Sequence, residues 1–143
     1  MIKIRKILFL LMITLIVTSC NKNKVVVIEK HNDGTTKVMR EYFKNDTLNY
    51  LETQYYNDGN KLLEGKCVNG ERNGTWKAWY RDGKLWSEGD FDKGINHGEH
   101  FNYYEDGTLR YSGNYYEGKR TGIWKFYDTL GILIETREYP EYK

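Results

Sequence analysis

The chain of 143 residues contains 22 lysines and arginines, 20 aspartates and glutamates, and three histidines. This length suffices for one domain of ordinary size. Three of the basic residues, Lys3, Arg5 and Lys6, stand at the very start, and without them 19 basic residues face 20 acidic ones. Such a balance offers no one-sign surface that could neutralise phosphates, so we expect no nucleic-acid partner.

The first nineteen residues follow a pattern of their own. A basic start, Met1 to Lys6, precedes an apolar run from Ile7 to Val17 (ILFLLMITLIV), and the small residues Thr18 and Ser19 follow. The run has about half the length of a membrane-spanning helix. These features predict a cleaved secretory signal peptide over residues 1–19, with a retained membrane anchor as the alternative.

The end of this segment, Val17-Thr18-Ser19-Cys20, resembles the lipobox of bacterial lipoproteins. The resemblance implies that Cys20 is the first mature residue and carries acyl chains such as palmitate, each buried methylene contributing about 0.8 kcal/mol to membrane binding. Residues 20–30 would then be the lipidated end and a tether. We expect a lipid-anchored domain in the bacterial cell envelope that faces the periplasm. Cys67 then has no cysteine to pair with and is predicted to be a small core residue.

The rest of the chain is rich in turn-forming and aromatic residues. The sequence has 14 glycines, 13 tyrosines, four tryptophans and a single proline, which predicts strands and tight turns. Glycines recur every 24 residues in four columns: Gly59, Gly83, Gly107 and Gly131; Gly65, Gly89 and Gly113; Gly70, Gly94 and Gly118; and Gly74, Gly98 and Gly122. A repeat of this length indicates stacked supersecondary units, each too small to bury its apolar face alone.

Each unit contains two kinds of turn. Asp-Gly pairs end at Gly59, Gly83 and Gly107 and predict two-residue hairpin loops. The fourth copy, Asp128 to Gly131, lacks the pair and is predicted to be looser. Segments with glycine at both ends predict longer loops at 69–74, 93–98 and 117–122. The predicted fold class is all-β, an elongated antiparallel meander of stacked hairpins with strands near 74–80, 84–92, 98–104, 108–116, 122–127 and 132–138.

Two glycines fall in the middle of predicted strands. Gly89 and Gly113 would weaken a strand unless a neighbouring group has to approach closely. Successive side chains alternate between the two faces of a strand, so Trp76 and Ala78 share one face, and Gly89 shares one with Phe91. We expect aromatic rings of adjacent strands to pack over these glycines and to build a thin aromatic core.

The pattern Gly-x4-Gly-x3-Gly-x-Trp-x2-(Trp/Tyr)-x3-Gly runs from Gly65 to Gly83 and again from Gly113 to Gly131. It resembles the MORN repeat, particularly the bacterial variant found in antitoxins of the YwqK type and in short lipoproteins. The likeness is clear over residues 50–136, and we place the repeat domain at 31–143. The middle copy has His100 where its siblings have tryptophan, which predicts shifted packing there. The resemblance implies an elongated sheet of stacked hairpins that binds proteins or lipid head groups.

One short segment, His97-Gly98-Glu99-His100, combines groups that could serve catalysis or metal binding. On a strand His97 and Glu99 face one way and His100 the other, so a joint metal site would need a bulge. No third ligand, phosphate-cradling loop or nucleophile motif accompanies the segment. We therefore expect no enzyme: no catalytic residue, no metal, no cofactor and no small-molecule substrate.

Three function classes remain open. The favoured one is a non-catalytic binding module for a protein or another envelope component. The others are an antitoxin or immunity protein of the YwqK type, and a cell-wall or carbohydrate binder, because choline- and glucan-binding repeats are similarly rich in aromatic residues. The candidate binding surface, which we call the aromatic strip, comprises Trp79, Trp86, Tyr103 and Tyr127. Strand parity places these rings opposite the Leu85/Phe91 face or near hairpin corners, and an exposed apolar strip usually marks an interaction site.

Overall fold

The computed structural model describes residues 23–44 and 46–142; the predicted signal peptide and Cys20 lie outside them. The described chain forms ten strands: β1 (Lys24–Lys30), β2 (Thr36–Tyr42), β3 (Tyr50–Tyr55), β4 (Lys61–Val68), β5 (Glu71–Trp79), β6 (Leu85–Asp92), β7 (Ile95–Tyr103), β8 (Leu109–Tyr116), β9 (Lys119–Tyr127) and β10 (Leu133–Tyr139). Each pairs antiparallel with the next in one open sheet, which confirms the predicted all-β meander. This part of the chain has no helix long and apolar enough to cross a bilayer.

The sheet begins earlier than the repeat pattern indicates. Residues 24–30, predicted to belong to the tether, form β1 and pair with β2 from Lys24 opposite Tyr42 onwards. The run from Val25 to Ile28 consists of β-branched residues, whose restricted side chains favour an extended backbone. β1 is therefore an edge strand of the sheet, and any tether has to end before it.

The two kinds of turn have the opposite lengths to those predicted. The Asp-Gly segments are five-residue corner loops, at 31–35, 56–60, 80–84 and 104–108, and a fifth corner loop without the pair lies at 128–132. The predicted longer loops contain two-residue tight turns, at 69–70, 93–94 and 117–118. In the third corner loop the Tyr80 N–H donates to the Lys84 carbonyl at 2.8 Å, and the Asp82 carboxylate accepts the Lys84 N–H at 3.1 Å. The hydrogen bond to the Asp82 carboxylate helps to close this five-residue loop. Lys93 and Gly94 both have positive φ, 48° and 81°, as a two-residue type I′ turn requires.

The last corner loop keeps the same backbone pattern although it lacks the Asp-Gly pair. The Asp128 N–H donates to the Ile132 carbonyl, and the Gly131 N–H donates to the Asp128 carbonyl, both at 3.0 Å. The Asp128 carboxylate accepts the N–H groups of Leu130 and Ile132, each at 2.9 Å. The predicted looseness of this loop is therefore wrong. The carboxylate of Asp128, at the first position of the loop, accepts the backbone N–H of the fifth residue, as the aspartate at the third position does in the other corner loops.

One face of the sheet carries the buried aromatic side chains, and we call it the core face. Opposed residues in an antiparallel pair point to the same side, so Tyr50, its partner Cys67, and Trp76 lie on it together. Cys67 is buried, as predicted. Burial raises the pKa of its thiol and raises the pKa of Tyr50 to about 12, so both groups stay neutral.

Candidate interaction site on the repeat sheet

On the core face, aromatic rings lie directly over the mid-strand glycines. Gly65 is covered by the Trp76 indole, and Gly113 by the Trp124 indole, so that an added Cβ would clash with the face of the ring. Trp76 and Trp124 are 3% and 0% exposed. The predicted packing of rings over glycines is confirmed, and it explains why glycine occupies the centre of these strands.

Each of these tryptophans is held by the same two contacts. Trp124 Nε1 donates to the Asn114 carbonyl at 3.1 Å, and Trp76 Nε1 donates to the Lys66 carbonyl at 3.0 Å. A guanidinium group covers each ring at 4.4 Å from its centroid, Arg120 over Trp124 and Arg72 over Trp76. Cation–π contacts and hydrogen bonds therefore hold both tryptophans in the core. Within the described residues no second layer of strands or helices covers this core.

His100 occupies the position of the tryptophan in the middle copy. It lies opposite Gly89 and covers it, so the predicted shift in packing does not occur. The imidazole is smaller than an indole, and its Nδ1 is buried without a hydrogen-bond partner among the described residues. The pKa of His100 is lowered, first by burial and then by the charge of Arg120. His100 is thus held as the neutral form.

This lowered pKa predicts a loss of stability in mild acid. The unfolded chain binds a proton at His100 near its ordinary pKa of 6.5, before the folded chain does. The free energy of unfolding should therefore fall as the pH drops below about 6.5. Denaturant unfolding at pH 7 and pH 5.5, compared between the parent and His100→Phe, measures the effect. The parent should lose more stability than the variant, and equal losses in the two proteins would contradict the prediction.

Tyrosine hydroxyls tie successive corner loops together. Tyr56, Tyr80 and Tyr104 stand at the first position of their loops, and each hydroxyl donates to the carbonyl 23 residues further on, at 2.9, 2.7 and 2.9 Å. The acceptors are Trp79, Tyr103 and Tyr127. These tyrosines were not predicted from the sequence, although they recur with the same period of 24. Their bonds fix the backbone of three members of the aromatic strip.

Removing one of these hydroxyls should weaken the sheet measurably. Tyr80→Phe is expected to lower the free energy of unfolding by about 0.5–1.5 kcal/mol, because the Tyr103 carbonyl loses its partner. Tyr103→Phe is the control, since the Tyr103 hydroxyl forms no hydrogen bond within the described chain. Chemical denaturation of both variants provides the comparison. A Tyr80→Phe protein as stable as the control would contradict this role.

Three members of the aromatic strip, Trp79, Trp86 and Tyr103, lie on the face opposite the core face. Trp79, Tyr103 and Tyr127 each follow a core-face residue by one position, namely Ala78, Asn102 and Phe126. Trp86 is two residues from Glu88, which stands opposite Lys77 on that same second face. Trp79 lies beside Lys61, which binds Glu64 of the second face, and Tyr103 lies beside the Lys77–Glu88 pair. These two rings therefore share the second face with Trp86. Trp79, Tyr103 and Tyr127 end every second strand and are about 10 Å apart, and Trp86 stands on the strand between the first two.

The exposure of the strip is uneven. Trp86 is 42% exposed, whereas Trp79, Tyr103 and Tyr127 are half-buried. Trp86 packs against Tyr80 of the corner loop with ring centroids 6.1 Å apart. The Lys61 ammonium lies 5.6 Å from the Trp79 ring centroid. The rings are thus held by neighbours while part of each surface stays accessible.

Charged side chains flank the strip on the same face. Lys77 and Glu88 form an ion pair of 3.1 Å. Burial, and secondarily the charge of Glu88, raises the pKa of Tyr103. A shallow depression of about 280 Å³ adjoins this pair; it is lined by Thr75, Lys77, Glu88, Gly89, Asp90, Glu99 and Phe101. The surface combines aromatic rings with mixed charge, a composition suited to recognition of another macromolecule.

The histidine segment does not converge on one site. His97 packs on Tyr116 with ring centroids 5.1 Å apart, Glu99 lines the depression on the second face, and His100 belongs to the core face. Over residues 23–44 and 46–142, no group of three or more histidine, cysteine or acidic side chains is placed to hold a metal ion.

The sequence matches the MORN repeat variant over residues 72–93 and 96–115. These stretches begin within β5 and within β7, and they include Trp79, Trp86 and Tyr103. No curated protein matches the chain significantly. MORN repeats are generally non-catalytic and indicate a binding or interaction module. Two segments of the chain, within its ladder of stacked hairpins, are therefore similar to the MORN repeat variant.

Proposed function

We propose that this protein is a lipid-anchored component of the bacterial envelope that binds a partner protein through the aromatic strip. The observation that supports the proposal is the position of Trp79, Trp86 and Tyr103 on the face that the core does not use, with Tyr127 at the corresponding end of β9. Two tryptophans and two tyrosines supply the residue types that dominate protein–protein binding energy. The flanking Lys77–Glu88 pair supplies the polar rim.

The anchor part of the proposal rests on Cys20. Acylation of this cysteine would hold the sheet close to the membrane, with residues 21–23 as the link to β1. The domain would then meet its partner at the membrane surface on the periplasmic side. Cys20→Ala should release the protein into the soluble envelope fraction, and a variant that still sediments with membranes would refute the lipid anchor.

The strip is tested by crosslinked affinity capture of the full-length protein from its native envelope. Trp79→Ala and Trp86→Ala are each expected to reduce the recovered partner about tenfold or more, since truncation of a hot-spot ring costs about 2 kcal/mol or more. Tyr142→Ala is the matched control, because Tyr142 is a 37% exposed ring outside the strip. Circular dichroism verifies that each variant keeps its strands.

The identity of what is recovered separates the function classes. One protein in near-equal amount, lost from the Trp86→Ala capture and kept with Tyr142→Ala, supports the binding module, and a toxin among such partners would indicate an immunity role. Recovery of glycan or wall material alone would replace the protein-binding proposal by carbohydrate binding through the same rings. Capture that is equal for all variants would remove the strip from the binding site.

A further inference from the structure

The last strand of the sheet leaves one edge open. β10 pairs with β9 and, within the described chain, with no other strand. Six of its seven residues are exposed, and only Tyr139 is half-buried. Its outer backbone N–H and carbonyl groups thus face solvent, and such an edge is a template for pairing with another strand.

The residues around this edge are unusually apolar for an exposed surface. Ile123, Ile132, Leu133 and Ile134 are 57%, 58%, 50% and 63% exposed. Natural edge strands are commonly protected by lysine, proline or bulges along their length. β10 contains no lysine or proline, and its one register shift lies at its start, between Leu133 and Glu135. The stretch Glu135–Tyr139 is regular and unprotected.

Two of the three charged residues on β10, Glu135 and Arg137, form an ion pair, and the third, Glu138, lies on the other face. Arg137 Nε lies 2.5 Å from Glu135 Oε1, and Arg137 Nη2 donates to Glu135 Oε2 at 3.0 Å. The guanidinium also covers the Phe126 ring at 5.1 Å from its centroid. Both side chains lie on the core face, because they stand opposite Trp124 and Phe126. Opposite charges are therefore held two residues apart on one side of an open edge.

We propose that this edge is the interface with a second copy of the chain, which pairs antiparallel with β10 about a two-fold axis at Thr136. In this register Glu135 of each copy lies opposite Arg137 of the other. The four charges then alternate in sign around the axis, and Thr136 faces Thr136 of the second copy. Cross-strand pairs of opposite charge and of threonines both favour strand association.

Symmetry leaves few other registers. A two-fold axis perpendicular to the sheet places opposed residues of the two β10 strands on the same face. Because faces alternate along a strand, the axis has to pass between two copies of the same residue. With the axis at Glu135, two glutamates oppose each other, and with the axis at Arg137, two arginines do. Like charges directly opposite are unfavourable. The neighbouring axis at Thr136 is the one that pairs Glu135 with Arg137.

The other open edge is less suited to pairing. β1 also exposes apolar residues, with Val25 56% and Val27 44% exposed. It contains two register shifts within seven residues, at Val27/Glu29 and at Glu29/Lys30. Such bulges twist an edge strand away from regular pairing. Its one acidic side chain, Glu29, is held by Lys37 of β2 at 2.6 Å.

Disulfide trapping of the full-length protein in its membrane tests the register. Cysteines that oppose each other across an antiparallel pair come within disulfide reach. Oxidation with copper phenanthroline should therefore link Thr136→Cys into a dimer and leave Glu135→Cys and Val26→Cys mainly as monomers. The parent chain, with its buried Cys67, gives the background. A monomeric Thr136→Cys protein, or a stronger dimer from Val26→Cys or Glu135→Cys, would overturn the proposal.

Charge exchange tests the same interface through a second property. In the Thr136→Cys background, Glu135→Arg and Arg137→Glu should each lower the yield of homodimer about tenfold, because like charges then oppose each other. Co-expression of the two variants should restore dimer as the mixed pair, since each arginine of one variant then faces a glutamate of the other across the axis. Lys37→Glu is the matched control and should leave the yield unchanged. If co-expression does not restore the yield of mixed dimer, the assigned register is wrong.

Discussion

Replacing Trp124 by alanine is expected to lower the free energy of unfolding by about 3–5 kcal/mol, the range for large aromatic truncations in cores. Trp124 is fully buried, and its ring contacts Tyr111, Tyr115 and Tyr139 as well as the Arg120 guanidinium. A single-layer sheet has few ways to close the resulting cavity. The measurement is denaturant unfolding followed by circular dichroism and tyrosine fluorescence.

The control for this substitution lies one residue away. Ile123 is 57% exposed on the second face, so Ile123→Ala removes a large side chain from the same strand without opening the core. Its effect should stay within about 0.5 kcal/mol, as for most surface substitutions. A Trp124→Ala protein that loses no more stability than Ile123→Ala would show that the ring stack does not hold the sheet together.

Adding one methyl group at Gly113 is the second substitution with a large expected effect. The Cβ of Gly113→Ala would clash with the face of the Trp124 indole, so the ring has to move out of its stack. Overpacking of this kind typically costs about 1–3 kcal/mol. Gly113 is not among the residues with positive φ, so the cost comes from the ring contact rather than from the backbone.

A double-mutant cycle separates this contact from any general preference for glycine. In the Trp124→Ala background the indole is absent, and Gly113→Ala should then cost little or even stabilise the strand. The expected coupling between the two positions is about 1–3 kcal/mol, typical of residues in direct contact. Equal costs of Gly113→Ala in both backgrounds would show that the ring does not impose the glycine.

Several features of this fold could be predicted from particular residues. Gly89 and Gly113, 24 positions apart in the middle of predicted strands, identified places where a neighbouring ring comes close. Alternation along a strand placed Trp76 and Ala78 on one face, and both are buried. Both inferences depend only on local geometry, which every copy of the repeat has to satisfy.

Other features depended on groups that are distant in the sequence. The Asp-Gly segments were expected to be the tighter turns, yet the Asp82 carboxylate closes a five-residue loop and the Lys93-Gly94 pair forms the short one. His100 was expected to shift the packing, but pairing with Gly89 keeps it in register. Trp86 packs against Tyr80, whose hydroxyl donates to the Tyr103 carbonyl at the end of β7, a contact between distant residues.

By itself the sequence determined the repeat length, the all-β class and the packing of rings over glycines, because these follow from residue spacing within one unit. Only the tertiary structure decided the loop lengths, the neutral burial of His100 and the open edge at β10. Those features arise where units meet or where the stack ends. Within the described residues no strand pairs with the outer side of β10, so Ile134, Glu135 and Arg137 lie at the surface, and no pattern within a repeat indicates this exposure.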